Sequence, residues 1–441
     1  MKRAITLGGG GPAAGLHIGV LEALQSHPEI TFDVWSLSCI GAWVGIVYNQ
    51  FEEPDKAGKT HQFFKEHVFR DDESYERFPI NSVFGTDWFG NTEALRNFVF
   101  DIHNLDGVWL PHRMMRAFGE TMSMLSDPKQ KWDSGDVNSW ILNQAMAPNP
   151  FVRYLTSLMY LSGVNGLSKI NYPDSSFMKS IKFERLFDKD KPLIFHNAFD
   201  LDNEELVFFD NGQMKHELRK GPINASTLCA CSALPFIEGT VEMNGVTYCE
   251  GALVDTVNFE TLLQEYEDPN DLDEIWVCRI VDRKQIRKPN NLHDALANLC
   301  QLFAATVGED DVKLFKYHVK YDALPNGKKW TGTVVQIQVP SHIDFKWNHS
   351  NLEAGRELGK KAALKAIEAY ESEGMKPAKE LTEVRFINET PPKQRRNVGL
   401  TLRPAVSAQN GRGVLSDLHP TLRPDQIQHV TPQRSAEQRR S

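Results

Sequence analysis

Cys39 stands two residues before Gly41 in the stretch TFDVWSLSCIGAWVGIVYN (31–49). Phe32, Val34 and Trp35 read as a short buried strand and Ala42 to Tyr48 as an apolar helix, so the residues between them fall on the turn that joins the two. A strand-to-helix turn of this kind is where a nucleophile sits. In the pattern G-x-S-x-G, small neighbours let the reactive residue take a strained backbone at the mouth of a helix, under backbone N–H groups. Counting back two from Gly41 puts a cysteine at that position, with Leu37 where the first glycine would be. A thiolate is a good acyl acceptor, and a helix N-terminus lowers a thiol pKa, so the helix after Cys39 is expected to help activate it. Ser38 is the alternative hydroxyl, although a one-residue shift on a sharp turn aims a side chain elsewhere.

A second group of residues suited to chemistry precedes this turn. Residues 3–24, RAITLGGGGPAAGLHIGVLEAL, read as strand, glycine turn and helix. Glycine weakens strands and helices, so four in a row, Gly8 to Gly11, mark unusual dihedrals or a ligand that approaches backbone N–H groups closely. Such a loop can cradle a phosphate or form an oxyanion hole. The Lys-Ser/Thr pair of a P-loop is missing and no G-x-G-x-x-G phasing stands out, which leaves an oxyanion hole at Gly9, Gly10 and Gly11, or a structural turn. His17, on the helix that follows, reads as a packing or capping residue.

With 441 residues, 41% of them hydrophobic, the chain can bury a large core, and it has no long apolar run. A strand begins within a few residues of Met1, which argues against a signal peptide, and a cytoplasmic protein is expected. The net charge of −9 argues against nucleic acid as a partner. Six cysteines, at 39, 229, 231, 249, 278 and 300, show no C-x-x-C spacing, so neither a zinc site nor a disulfide framework is expected. Cys229, Cys231 and Cys249 sit in apolar contexts and read as inert core thiols.

The glycine loop, the Cys39 turn, TLCACSALPFIEG (227–239) and YCEGALVDTVNF (248–259) occur in an order and spacing that resembles the patatin-like phospholipases. LIFHNAFDLDNEELVFFDNG (193–212) is similar to that family's strand pair ahead of its dyad acid. The resemblance covers roughly residues 3–50 and 190–280, plus a helix near 350–372. It implies an α/β, patatin-like three-layer sandwich with a helical insertion. The implied activity is acyl-ester hydrolysis by a Ser–Asp dyad, with the serine in G-x-S-x-G, the aspartate in D-G-G or D-G-A, and neither metal nor cofactor. Here Cys39 takes the place of the serine and Glu250, followed by Gly251 and Ala252, that of the aspartate. Ala13 aligns with the arginine usual after the glycine triplet. Glu250 is then expected to accept the thiol proton and later to activate water, while its charge opposes formation of a thiolate. Asp255 is the alternative acid if the loop is shifted, and otherwise a cap for the turn into the helix around Asn258 to Leu263.

The domain organisation expected is one patatin-like domain over 1–385, with a helical insertion or lid at 51–185 and a disordered tail rich in Pro, Arg and Gln at 386–441. The tail repeats TLRP at 401–404 and 421–424. In the insertion, WLPHRMMRAFGETMSML (109–125) and FVRYLTSLMYLSG (151–163) have helical periodicity and adaptable Met and aromatic residues. They suit an apolar acyl channel or ordinary packing, and transient contact with a membrane or lipid surface is the weaker alternative. The function expected is hydrolysis of a lipid or other acyl ester through Cys39, the glycine loop and Glu250. The alternative is a catalytically inactive relative that binds a lipid or polymer surface.

Overall fold

Strong β-formers in short runs bounded by glycine or polar turns build the sheet, and helices fill the intervals between them. The computed structural model describes residues 1–77, 79, 84–85, 87–100, 111–126, 150–160, 162–170, 175–281, 285–321, 328–339 and 341–389. From the N-terminus, β1 (Arg3–Leu7) leads through the glycine loop to α1 (Ala14–Gln25), and β2 (Val34–Leu37) turns into α2 (Ile40–Gln50). The described part of the 51–185 span holds α3 (Lys56–His67), α4 (Asp72–Arg77), β3 (Phe84–Gly85), α5 (Trp88–Phe100), α6 (Pro111–Ser126), α7 (Pro150–Tyr160), β4 (Gly166–Ile170) and α8 (Ser176–Ser180). The chain returns through β5 (Leu193–Asp200), β6 (Glu205–Asp210), β7 (Arg219–Pro222), α9 (Ala225–Ala230), β8 (Phe236–Glu238), β9 (Val241–Met243) and β10 (Val246–Cys249). It continues with α10 (Phe259–Gln264) and β11 (Glu274–Arg279), and closes with α11 (Leu292–Tyr321), β12 (Thr333–Gln338), α12 (His349–Glu373) and β13 (Arg385–Ile387).

The main sheet runs β13-β12-β11-β1-β2-β5-β10-β9, with β6 beside β5 and β7 beside β6. From β13 to β5 every pairing is parallel. Strands with helices on both faces must be apolar on both sides, and alternation then sorts their residues into two cores. Ala4, Val34, Ile275 and Val334 face one core, with α10 and the middle of α11. Ile5, Trp35, Trp276 and Val335 face the other, with α1, α2 and α12. This is the three-layer α/β sandwich expected from the sequence. The central strands are tied by Arg3, whose Nε lies 2.8 Å from Glu274 Oε2, while Tyr370 of α12 donates to Glu274 Oε1 at 2.6 Å.

Two elements run further than the sequence suggests. The stretch NLHDALANLCQLFAATVG (291–308) reads as an amphipathic helix, and the helix extends to Tyr321, because Val312 and Phe315 continue the buried face of Ala297, Ala305 and Gly308. The sheet takes one more strand, β13, whose last residue Ile387 is fully buried and lies beyond the expected domain end at 385. The remainder of the tail, from residue 390, and the turn cluster Asp127 to Asp136 lie outside the described residues.

Register brings the reactive elements together. Leu7 pairs with Leu37, so the glycine loop after β1 and the turn after β2 leave the sheet side by side. Leu37 also pairs with His196 of β5, and Cys249 of the antiparallel β10 pairs with Phe199. Counting on, Glu250 falls opposite Ala198 and so at the level of Cys39.

Candidate active site

Cys39 has φ 49° and ψ −125°, a conformation that costs a non-glycine residue about 1–3 kcal/mol. Its neighbours impose it. Ser38 N donates to Leu7 O at 3.0 Å, and a Cβ on Gly41 would come within 2.0 Å of that same oxygen. Only glycine lets α2 start this close to β1. Ser38 is fully buried and its hydroxyl donates to Thr256 O at 3.2 Å, away from any cavity. The turn therefore presents Cys39 rather than Ser38.

Cys39 and Glu250 line one cavity of about 370 Å³, together with Gly9, Gly10 and Gly11. A Cβ on Gly9 would lie 3.1 Å from Cys39 Cβ and 3.5 Å from Glu250 Oε1, so this glycine faces the gap between thiol and carboxyl. Glu250 is 5% exposed, and its Oε2 has no hydrogen-bond partner among the described residues. Burial pushes its pKa up to about 7, against the hydrogen bond from Cys39, which lowers it. The wall is otherwise mostly apolar. Leu296, Cys300 and Phe303 of α11 supply much of it, with Phe345 and Trp347 from the loop before α12. Nothing in the sequence marked these residues, because the approach of α11 to the mouth is a tertiary fact. From the 51–185 span the described contributors are Tyr75, Pro79 and Ser168.

The thiol is not activated in the way its place before a helix suggests. Burial and then the charge of Glu250 raise the Cys39 pKa well above the ordinary cysteine value, outweighing a hydrogen bond from the Ile40 amide. Magnitudes account for the outcome. A helix N-terminus is worth roughly 0.3–1 kcal/mol to an anion, whereas a like charge at 4 Å opposes it by about 4 kcal/mol at an effective dielectric near 20. Cys39 is therefore a neutral thiol that needs a base beside it.

Several buried polar residues hold the Glu250 loop in place. Asn197 Nδ2 donates to Asp255 O at 2.6 Å and to Asn258 Oδ1 at 3.0 Å, and Asn258 Nδ2 donates to Ser36 Oγ at 2.9 Å. Their one trace in the sequence is a polar residue inside an apolar strand, Ser36 in VWSL and Asn197 in LIFHNAFD. His17 spans from Gly8 O, 2.8 Å from Nε2, to Cys278 Sγ, 3.3 Å from Nδ1, and burial lowers its pKa to about 4. It is a neutral packing residue behind the glycine loop, as expected. Cys231 is fully buried in the core, as its apolar context suggested, and its Sγ accepts a hydrogen bond from Cys39 N at 3.1 Å.

Asp255 does not line the cavity. Its Oδ1 accepts from Val257 N at 3.0 Å and from Asn258 N at 2.6 Å, which is the capping role. It also hydrogen-bonds Asp311 of α11, whose Oδ2 accepts from Thr256 N at 2.9 Å. Both carboxyls are held above the usual range, first by burial and, for Asp311, next by the charge of Asp255. Groups raised in the folded state stabilise it while protonated. That contribution is complete below about pH 4 and is lost as pH rises through the raised values. Asp311→Asn is accordingly expected to remove much of the fall in urea midpoint between about pH 4 and pH 8. An unchanged pH slope in the variant would show that the pair does not share a proton.

Among the described residues no three His, Cys, Asp or Glu side chains converge as a metal ion would require, and no helix is long and apolar enough to cross a membrane. Among curated proteins none matches the sequence. Of solved structures, VipD from Legionella pneumophila is similar over 83% of this chain at 11% identity and a TM-score of 0.35, and the chain spans 66% of that protein's length. The family model for patatin-like phospholipases matches residues 5–263, more than half of the sequence. The match takes in the glycine loop, the elbow, the strand pair and the Glu250 loop, and on it the chain belongs to the patatin-like phospholipase family, a family of lipid acyl hydrolases.

Proposed function

We propose that this protein hydrolyses a carboxylic ester of a fatty acid through Cys39. The observation that carries the reading is the placement of Cys39, on a strained elbow, beside the buried Glu250 carboxyl inside an apolar cavity. Cys39 Sγ attacks the acyl carbonyl while its proton passes to Glu250, and N–H groups of the Gly9 to Gly11 loop receive the charge that develops on the carbonyl oxygen. Collapse gives a thioester on Cys39, and the proton on Glu250 leaves with the alcohol. Glu250 then takes a proton from water, which attacks the thioester; the C–S bond breaks, the acid is freed, and the proton on Glu250 returns to the Cys39 sulfur. A positioned base of this kind contributes about 10²–10⁴-fold.

Contact with a lipid surface belongs to the same reading. Met115, Phe118 and Met122 on α6, and Phe151, Leu155 and Met159 on α7, form two exposed apolar stripes at helical spacing. Arg116 on α6 and Arg153 on α7 accompany them. This pattern supports interfacial contact better than a lid folded over the elbow.

The raised thiol pKa favours a second reading, an inactive protein that binds a lipid or polymer surface. One experiment separates the two. The protein is mixed with p-nitrophenyl esters of several chain lengths across a pH series, and intact mass is followed. The hydrolase reading expects an acyl adduct on Cys39 and a kcat/KM that rises with pH through about 7, as Glu250 loses its proton and becomes a base. Glu250→Gln should lose that limb of the profile. Absence of both adduct and turnover at every chain length would leave the binding reading.

A further inference from the structure

We propose that Cys39 and Cys231 are a hydroperoxide-sensitive pair that closes to a disulfide, an oxidative modification site within the candidate active site. The proposal goes beyond the hydrolase reading and rests on the placement of two thiols, not on turnover.

The geometry comes first. Cys39 N lies 3.1 Å from Cys231 Sγ. With an N–Cα bond of about 1.46 Å, Cys39 Cα can be no further than roughly 4.6 Å from that sulfur. Cys231 Cα lies two bonds beyond its own sulfur, so the two Cα atoms are at most roughly 7–7.5 Å apart, against the roughly 4.4–6.8 Å span of a bridge, and closure takes a turn of both side chains. The two positions also differ in access. Cys39 is partly exposed and lines the cavity, while Cys231 caps the end of α9 and is fully buried. An oxidant that enters the cavity therefore meets Cys39 first and finds Cys231 waiting behind it, which is the arrangement of an oxidised thiol and its resolving partner.

The chemistry balances in two steps. Cys39 sulfur attacks the terminal oxygen of a hydroperoxide. The O–O bond breaks, an S–O bond forms, sulfur loses two electrons, and the alkoxide leaves with a proton as an alcohol. Cys231 sulfur then attacks the sulfenic sulfur of Cys39. The S–S bond forms, the S–O bond breaks, and the departing hydroxide takes the Cys231 proton as water. Overall two thiols and one hydroperoxide give one disulfide, one alcohol and one water. Glu250, beside Cys39 in the cavity, is the base that takes the neutral Cys39 thiol's proton in the first step and hands it to the departing alkoxide. A serine at the elbow has none of this chemistry, so the pair gives the cysteine a consequence that ester hydrolysis alone does not. The disulfide takes the nucleophile out of the cavity, and a dithiol returns it.

The test uses the full reduced chain with hydrogen peroxide and, separately, cumene hydroperoxide, read by intact mass and by a non-reducing peptide map. The expected product is lighter by two hydrogens, links the Cys39 peptide to the Cys231 peptide, and reverts with dithiothreitol. Cys231→Ser is expected to stop at a one-oxygen adduct on Cys39 that dimedone traps, and then to proceed to two- and three-oxygen forms. Three wild-type results would overturn the proposal: multi-oxygen adducts on Cys39 without a cross-link, a cross-link from Cys39 to Cys300 or Cys249, or a Cys39 that stays reduced. Each is read from mass alone and does not require an active hydrolase, so failure here and failure of the hydrolase reading are distinguishable. If Cys231→Ser does not fold, the wild-type map still decides.

Discussion

Cys39→Ala is expected to lower kcat/KM for ester hydrolysis by about 10³-fold or more and to eliminate the acyl adduct, while the urea midpoint changes little. A loss of that size corresponds to about 4 kcal/mol of transition-state stabilisation. It follows from the division of labour in the cavity. In the proposed mechanism Glu250 then has no nucleophile but water to activate, and the glycine loop alone would stabilise charge without creating it. Cys39→Gly sharpens the test. Glycine takes φ 49° freely, so this variant should be inactive yet more stable than the wild type by about 1 kcal/mol, the signature of backbone strain kept for function. Turnover by Cys39→Ala within a few-fold of wild type would remove Cys39 from the mechanism, and a destabilised Cys39→Gly would mean the elbow is not strained.

Gly19→Ala is expected to destabilise the fold by on the order of 3 kcal/mol, the largest effect among single methyl additions in the helical layers. α1 and α12 meet backbone to backbone. A Cβ on Gly19 would stand 1.9 Å from Arg356 O, one on Gly15 2.2 Å from Leu352 O, and one on Gly359 2.0 Å from Leu16 O. No side-chain rotation relieves a clash with a carbonyl, so the helices must part. Because α1 begins where the glycine loop ends, activity should fall along with stability. Gly119→Ala on α6 is the control: a Cβ there meets nothing within 4 Å, and helix propensity favours alanine by about 1 kcal/mol. Equal urea midpoints for the Gly19 and Gly119 variants would contradict the close packing.

The Cys39 turn and the glycine loop were readable in the sequence because each is a local signal: a run of glycines, and a small residue two places after a reactive one, act within a few residues. The strand pair of β5 and β6, the helix near 350–372 and the sandwich itself were expected from the family resemblance, and the structure has all three. The polarity of the site did not follow. Reading Cys39 as a thiol eased by its helix counted a local dipole, which is outweighed first by burial of the thiol and then by the charge of a carboxyl that lies 211 positions along the chain.

What the sequence by itself determined about this protein is therefore its α/β architecture and its family, with Cys39, Glu250 and Gly9 to Gly11 as the proposed site. What only the tertiary structure decided is what those residues meet. Register across β2, β5 and β10 sets Glu250 level with Cys39. The approach of α11 makes an apolar wall and couples Asp311 to Asp255, and the end of α9 brings Cys231 to the Cys39 amide. The physical reason is range. Backbone propensity and capping act between neighbours in the chain, whereas burial, charge coupling and thiol proximity depend on distances in space that exist only once the sheet has paired.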